Sequence, residues 1–250
     1  MGTSRHQQER ELTESRRDIL KRKRLMKAIY EEWYSWLMED GDPSSPEGRM
    51  VELGSGAGFI KELFPGVVCS DVLPLSHLDF VGDGLALPLK NGTIRRFLMI
   101  DVFHHVDDPL RFLREMERCL APGGSIAMVE PANTAWGRFI WKNFHHEDFF
   151  PDAPDWRMEQ RSPLATANGA MPWIVFQRDR QLFLNRFPAL EIEEFYAHTP
   201  LGYLCSGGFS CPQLIPDFLV KPLIRLDAFF SRLSPHLGMF YFIGLRKRKL

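Results

Sequence analysis

Several classes of protein are excluded by what this chain does not contain. Its four cysteines, Cys69, Cys119, Cys205 and Cys211, have neither C-x-x-C spacing nor histidine company, and two of them fall in apolar segments, so free thiols are expected in place of disulfides or zinc. Neither charge sign dominates: 31 Lys and Arg face 32 Asp and Glu, a net charge of -1, and global charge gives no support to nucleic acid as the main partner. No run approaches the roughly 20 apolar residues of a membrane span. The most apolar region, Phe218 to Leu245, is broken by Lys221, Arg225, Asp227, Arg232 and two prolines. There is no internal repeat, no low-complexity segment and no apolar leader, since Thr3 to Arg24 runs polar and charged; a cytoplasmic protein is the expectation. What is present, 250 residues of which 44% are hydrophobic, can bury a full core and fits one elaborated α/β domain better than two independent ones.

The most informative stretch is Val51-Glu52-Leu53-Gly54-Ser55-Gly56-Ala57-Gly58. An apolar run, Met50, Val51 and Leu53, meets a glycine turn that permits positive φ and close ligand approach; a helical pattern at Phe59, Ile60, Leu63 and Phe64 follows, stopped by Pro65-Gly66. The first turn of that helix is expected to aim free N–H groups over the glycines. A dinucleotide site wants G-x-G-x-x-G, whereas here Gly58 comes one position early. The E-x-G-x-G-x-G form resembles motif I of the class I S-adenosylmethionine-dependent methyltransferases. That resemblance puts Glu52, Gly54, Ser55, Gly56 and Gly58 around the methionine part of the cofactor.

Further stretches fall where that family would have them. Val67-Val68-Cys69 leads to Asp71, which the resemblance makes the ribose ligand. Asp83 takes the adenine side with Gly84 and Leu85 beside it, although Asp-Gly alone is an ordinary turn signal. Phe97 to Val106 reads as a buried strand emptying into a polar crevice at its carboxyl end, with Asp101, His104 and His105 there. Asp108-Pro109 starts a helix, as N-cap and first helical residue, whose period is Leu110, Leu113, Met116 and Leu120; Pro122-Gly123-Gly124 stops it before a strand from Ser125 to Val129. The run from Asp101 to Gly124 is similar to the H-H-V-x-D-P and R-x-L-x-P-G-G pattern of the branch that includes ubiquinone and menaquinone biosynthesis methyltransferases. The resemblance covers residues 48 to 130. It implies a Rossmann-like, doubly wound sheet of seven strands with an antiparallel last strand, assembled in the carboxyl portion from Leu190 to Tyr196, a helix over Ile215 to Leu233 and a strand over Gly238 to Leu245. One departure stands out: Asp71 and Phe80 leave little room for a crossover helix.

Residues 1–47 read as a helical extension and linker, with one long helix over 12–38 whose stripe is Met26, Ile29, Tyr30, Trp33 and Leu37. Its basic cluster, Arg16, Arg17, Lys21, Arg22, Lys23 and Arg24, fits a solvated face better than an RNA or membrane contact. Within the 48–250 domain, residues 131–186 form an insertion after the fifth strand, dense in aromatics, expected to close over the crevice as the acceptor side of the pocket. The candidate bases are His104, His105, His145 and His146, with Glu147 beside the last two. No metal is expected, because the neighbours His145-His146-Glu147-Asp148 do not all face one point and no second ligand cluster is evident. These readings converge on an S-adenosylmethionine-dependent transferase acting on a small or amphipathic metabolite, without a stable nucleic-acid complex and with transient membrane-surface contact through the apolar carboxyl-terminal helix. An RNA methyltransferase and a non-catalytic cofactor-fold binder are the alternatives.

Overall fold

The computed structural model describes residues 5–42, 44–159 and 165–249. Seven strands form one sheet: β1 (Arg49–Leu53), β2 (Val68–Asp71), β3 (Phe80–Val81), β4 (Ile94–Ile100), β5 (Leu120–Pro131), β6 (Leu190–His198) and β7 (Phe240–Lys247). Their spatial order is β3-β2-β1-β4-β5-β7-β6. Strands β1 to β5 pair in parallel, and β7 runs antiparallel to both β5 and β6. The doubly wound sheet with an antiparallel last strand is therefore observed. The order reverses between β1 and β4, so the crevice for a ligand opens outside their carboxyl ends, where Gly54 follows β1 and Asp101 follows β4.

Helices α1 (Arg5–Arg22) and α2 (Arg24–Met38) replace the single helix expected over 12–38. The chain breaks at Lys23, which adopts extended backbone (φ -78, ψ 110). The cause is distant in sequence: the Lys23 ammonium donates to the carbonyls of Ser206 (3.2 Å), Gly208 and Cys211. Beyond the break, Leu25, Met26, Ile29, Tyr30, Trp33, Tyr34 and Leu37 are buried at helical spacing. Arg96 of β4 is buried and fastens the end of α2, donating to the carbonyls of Leu37 and Glu39.

The glycine turn leads into only one helical turn, α3 (Ile60–Leu63). The eight residues from Val72 to Asp79 contain no helix, so the second crossover is degenerate, as the short spacing implied. It suffices because β3 is a two-residue edge strand, and Asp79 ties the return by accepting from Cys69 N at 2.8 Å. Strand β4 ends six residues before the expected Val106; a 3-10 turn over Phe103–His105 carries the histidines. Then α4 (Pro109–Cys119) begins as read, with Asp108 Oδ1 accepting from Arg111 N at 3.0 Å.

After β5 come α5 (Ala135–Phe144), α6 (Met171–Trp173) with a π turn over Ile174–Arg178, and α7 (Arg180–Arg186). Of the 131–186 segment, residues 160–164 lie outside the described residues. Helices α8 (Gly202–Ser206) and α9 (Val220–Leu233) separate β6 from β7. Helix α9 starts five residues later than expected, because Pro216 is extended (ψ 151) and a 3-10 turn intervenes. Among the described residues no helix is long and apolar enough to cross a membrane.

Candidate functional site

A cleft of about 650 Å³ runs across the carboxyl ends of β1, β2 and β4. It is lined by every residue the sequence proposed: Glu52, Gly54, Ser55, Gly56, Gly58, Asp71, Asp83, Gly84, Leu85 and Asp101 on one side, and His104, His105, His145 and His146 toward the other. Helices α1 and α2 roof it with Thr13, Arg16, Tyr30 and Tyr34; the sequence placed the stripe containing Tyr30 over the cleft and read Arg16 only as part of a solvated basic face, and it did not assign Thr13 or Tyr34.

The glycines divide by what surrounds them. Gly54 (φ +65) and Gly56 (φ +36) both occupy the left-handed region. A Cβ on Gly54 would fall 2.4 Å from Val102 Cγ2, whereas one on Gly56 would meet nothing closer than 3.6 Å. Gly56 thus has room for a Cβ at ordinary contact distances on the lining of the cleft, and Gly54 allows two loops to touch. Gly58 has a different reason to be glycine: a Cβ there would lie 2.4 Å from Tyr34 Oη, and that hydroxyl accepts from Phe59 N at 3.0 Å. The expectation of free N–H groups at the helix start is corrected accordingly. Gly58 N donates to Ser55 O at 2.6 Å, Phe59 N is held by Tyr34, and the helix is a single turn.

Asp71 ends β2 with its carboxyl toward the glycine loop, Oδ2 accepting from Gly56 N at 2.9 Å and Oδ1 from Leu73 N at 2.8 Å. Burial raises its pKa against those two bonds. Asp83 is exposed and accepts from Leu85 N at 2.8 Å, the local turn its sequence foretold; Gly84 sits against the Phe112 ring. Asp101 has φ 55, unusual for a residue other than glycine, and burial pushes its carboxyl up to about 7.

Glu52 is buried beneath the loop, with the Cys69 thiol 3.8 Å from Oε2, and desolvation raises its pKa to about 7. A carboxyl whose folded pKa exceeds its ordinary 4.5 contributes stability below pH 4.5 that is lost as pH rises toward 7. The loss amounts to about 3 kcal/mol at 1.36 kcal/mol per unit. Glu52→Gln removes the titration, so denaturant unfolding of this variant is expected to lose about 3 kcal/mol less than the wild type between pH 4.5 and pH 7. Parallel pH curves for the two proteins would show that Glu52 is ionised at no such cost.

At the other end, four histidines gather on Glu147. His104 Nε2 lies 3.3 Å from Oε2, His105 Nε2 3.7 Å from Oε1, His145 Nδ1 3.7 Å from Oε2, and His146 Nε2 3.7 Å from Oε1. The second cluster that the sequence did not offer is supplied by the 3-10 turn, 43 residues away from Glu147. His104 is buried, and its Nδ1 is 2.7 Å from Glu130 Oε2. Burial alone would lower its pKa; the bonds to Glu130 and Glu147 override this and raise it well above the ordinary value, while Glu147 is held well below its own, chiefly by His104 acting against burial. His105 donates from Nδ1 to Thr166 O at 2.8 Å, and burial lowers it to about 4; burial does the same for His145.

Glu130 at the end of β5 is fully buried and escaped the sequence reading. Its Oε1 accepts from Val102 N (2.9 Å) and Phe103 N (2.6 Å), and Oε2 from His104 N (3.3 Å), so one side chain shapes the whole turn after β4. The aromatic insertion divides in two. Phe144 and the buried Trp141, itself packed in the core, line the cleft, whereas Phe149 and Trp156 belong to the core alone.

Residues 51–128 match the family described as a methyltransferase domain. Over 115 residues the chain is 30% identical to norajmaline N-methyltransferase of Rauvolfia serpentina, covering 45% of this chain and 35% of that protein. The chain thus spans about a third of the length of this curated relative. Among solved structures it is similar to an S-adenosylmethionine-dependent methyltransferase from Thermotoga maritima (TM-score 0.50, 20% identity, 92% of this chain and 99% of that one). It is also similar to a chain in the complex of the Haloferax volcanii Trm112 methyltransferase activator with a methyltransferase (TM-score 0.55, 14% identity, 97% of each). The fold is the Rossmann-like methyltransferase fold with an antiparallel last strand.

Proposed function

We propose, starting from a chain that carries a methyltransferase domain in this fold, that it transfers the methyl group of S-adenosylmethionine to a small or amphipathic metabolite. The supporting observation is the one cleft in which a glycine loop and Asp71 face an aromatic and histidine wall. The residues fit the cofactor: a glycine loop whose Gly56 lines the cleft without crowding, a carboxylate at the end of β2 for ribose hydroxyls, and Asp83 to Leu85 for the adenine side. When bound, the sulfonium supplies an activated methyl group. The chain's own work is then alignment and exclusion of water. Trp141, Phe144 and Tyr203 wall the acceptor end, and α1 covers the donor end with Thr13.

The histidines serve positioning better than proton removal. His104 has a carboxylate at each ring nitrogen, and His105 and His145 at about 4 are weak bases at neutral pH. The run from Asp101 to Gly124 supports kinship with the quinone-biosynthesis branch. A division into an extension over 1–47 and a catalytic domain over 48–250 belongs to the same proposal, with 131–186 as its substrate-side insertion.

The basic cluster argues against the RNA alternative, because Arg16, Arg17, Lys21 and Lys23 are engaged at home, leaving Arg22 and Arg24 exposed. Arg17 and Lys21 both hold Glu62, at 2.9 and 2.8 Å, Lys23 binds carbonyls, and Arg16 lies 5.6 Å from the Phe209 ring centroid. Helix α9 exposes Phe229 and Leu233 beside Lys221, Arg225 and Arg232, which supports transient contact with an anionic membrane surface. The experiment is a cell-extract screen with S-adenosylmethionine labelled in its methyl group. Label is expected in a small organic-soluble or aqueous metabolite; label in RNA would establish the alternative, and tight cofactor binding with no acceptor in any extract would favour a non-catalytic binder.

A further inference from the structure

We propose that His104, His105 and Glu147 form a binding site for a divalent first-row transition-metal ion at the acceptor end of the cleft. Their ligand atoms, two imidazole nitrogens and a carboxylate oxygen, lie within 4.8 Å of one another. Two ligands at about 2.0–2.1 Å from a tetrahedral zinc ion stand about 3.3–3.4 Å apart. The spacing between His104 Nε2 and Glu147 Oε2 is 3.3 Å and that between His105 Nε2 and Oε1 is 3.7 Å. Charge-assisted hydrogen bonds between such groups close to about 2.7–2.9 Å. These separations are close to those of two ligands of one ion, and an ion there would replace the long hydrogen bond between His104 Nε2 and Glu147 Oε2.

The surroundings of the two rings point the same way. A metal-bound histidine commonly gives its other N–H to a carboxylate or a backbone carbonyl, which fixes the tautomer and turns the free nitrogen to the metal. Here His104 Nδ1 faces Glu130 Oε2 at 2.7 Å, and His105 Nδ1 faces Thr166 O at 2.8 Å. Both Nε2 atoms are thereby aimed at Glu147. Two carboxylates, the fully buried Glu130 and the half-buried Glu147, balance the charge of a divalent ion, which displaces the proton of His104 Nε2. Two histidines and one carboxylate leave coordination positions open, and all three ligands line the cleft. An oxygen or nitrogen of the acceptor can fill one. This role of the ion in holding the acceptor rests on the proposed methyl transfer, whereas the binding of the ion does not. The donor set favours zinc, cobalt or iron(II) over magnesium, which takes oxygen ligands in an octahedron.

The test is a titration of chelator-stripped full chain with Co²⁺, followed by its visible d–d absorption, and with Mg²⁺ as the contrast. One equivalent of Co²⁺ is expected to bind and Mg²⁺ is not. Loss of a ligand exceeds the roughly 10–100-fold typical of outer-shell changes, so His105→Ala and Glu147→Gln are expected to weaken binding at least 100-fold. His236→Ala and Cys211→Ser, at exposed positions outside the cluster, are expected to leave it unchanged. X-ray absorption of the zinc-loaded wild type gives a readout independent of variant folding, with two imidazoles and no sulfur expected at the metal. No stoichiometric Co²⁺, undiminished binding in both ligand variants, or sulfur coordination would overturn the site. S-adenosylhomocysteine titrated into the same preparations separates the two readings. Cofactor binding without Co²⁺ binding removes this site alone, and Co²⁺ binding without cofactor binding supports the site while removing the methyltransferase reading.

Discussion

Gly56→Leu is expected to abolish cofactor binding while the protein still unfolds cooperatively. The first added carbon meets only ordinary contacts, Asp71 Oδ2 and Gly54 O at 3.6 Å and Thr13 Cγ2 at 3.8 Å, so the fold is not forced apart. The positive φ of 36° costs a side chain about 1–2 kcal/mol. The remaining leucine atoms project into the cleft, where they and a ligand cannot share close-packed volume, and affinity for S-adenosylmethionine or S-adenosylhomocysteine falls by roughly 100-fold or more. Gly54→Ala is the opposite case. Its methyl falls 2.4 Å from Val102, so it disturbs the contact of two loops and lowers stability first. Asp71→Asn is the graded comparison: it keeps one oxygen for the loop amides and loses the charge that would grip ribose hydroxyls, a loss of about 1.5–3 kcal/mol, or roughly 10- to 150-fold in affinity. Calorimetric titration and thermal melts of the three variants check the order. Wild-type affinity in Gly56→Leu would mean that no ligand passes over this loop.

What could be read from the sequence was what neighbouring residues decide among themselves. The glycine turn after β1 and the Asp108-Pro109 start of α4 are local devices, and both formed as read. The short link from Asp71 to Phe80 declared its missing helix because chain length alone limits a crossover. The features that escaped are long-range. Lys23 breaks the first helix in two because carbonyls more than 180 residues away accept from its ammonium. Tyr34, 25 residues before Phe59, takes the amide that the sequence reserved for a ligand. The histidines were visible as candidates one pair at a time. Their meeting on Glu147 depends on where the insertion after β5 folds back, and no spacing within either pair encodes that.

Glu130 is the clearest case of such a hidden residue, and it carries the largest stability effect expected here. Glu130→Ala is expected to destabilise the protein by about 3–5 kcal/mol, the range for breaking a buried ion pair by removal of one partner. The carboxylate accepts from three successive backbone amides, Val102, Phe103 and His104, and pairs with His104 Nδ1; alanine leaves all four donors without it, three of them buried. At 2–4 °C per kcal/mol for a chain of this size, the calorimetric melting temperature falls by roughly 6–20 °C. Glu130→Gln should lose less, because its carbonyl oxygen can still serve Val102 and Phe103. Its amide group, however, meets the His104 ring as a donor, so that ring must present a lone pair at Nδ1 and carry its proton at Nε2, facing Glu147. The His104 ring, protonated on both nitrogens between its two carboxylates in the wild type, is therefore expected to become the neutral Nε2–H tautomer in Glu130→Gln, read by nitrogen NMR, even where the melting temperature moves little. A melting temperature of Glu130→Ala within a degree or two of the wild type would mean that water replaces the carboxylate without penalty, and the turn after β4 would then be shaped by packing of Phe103 alone.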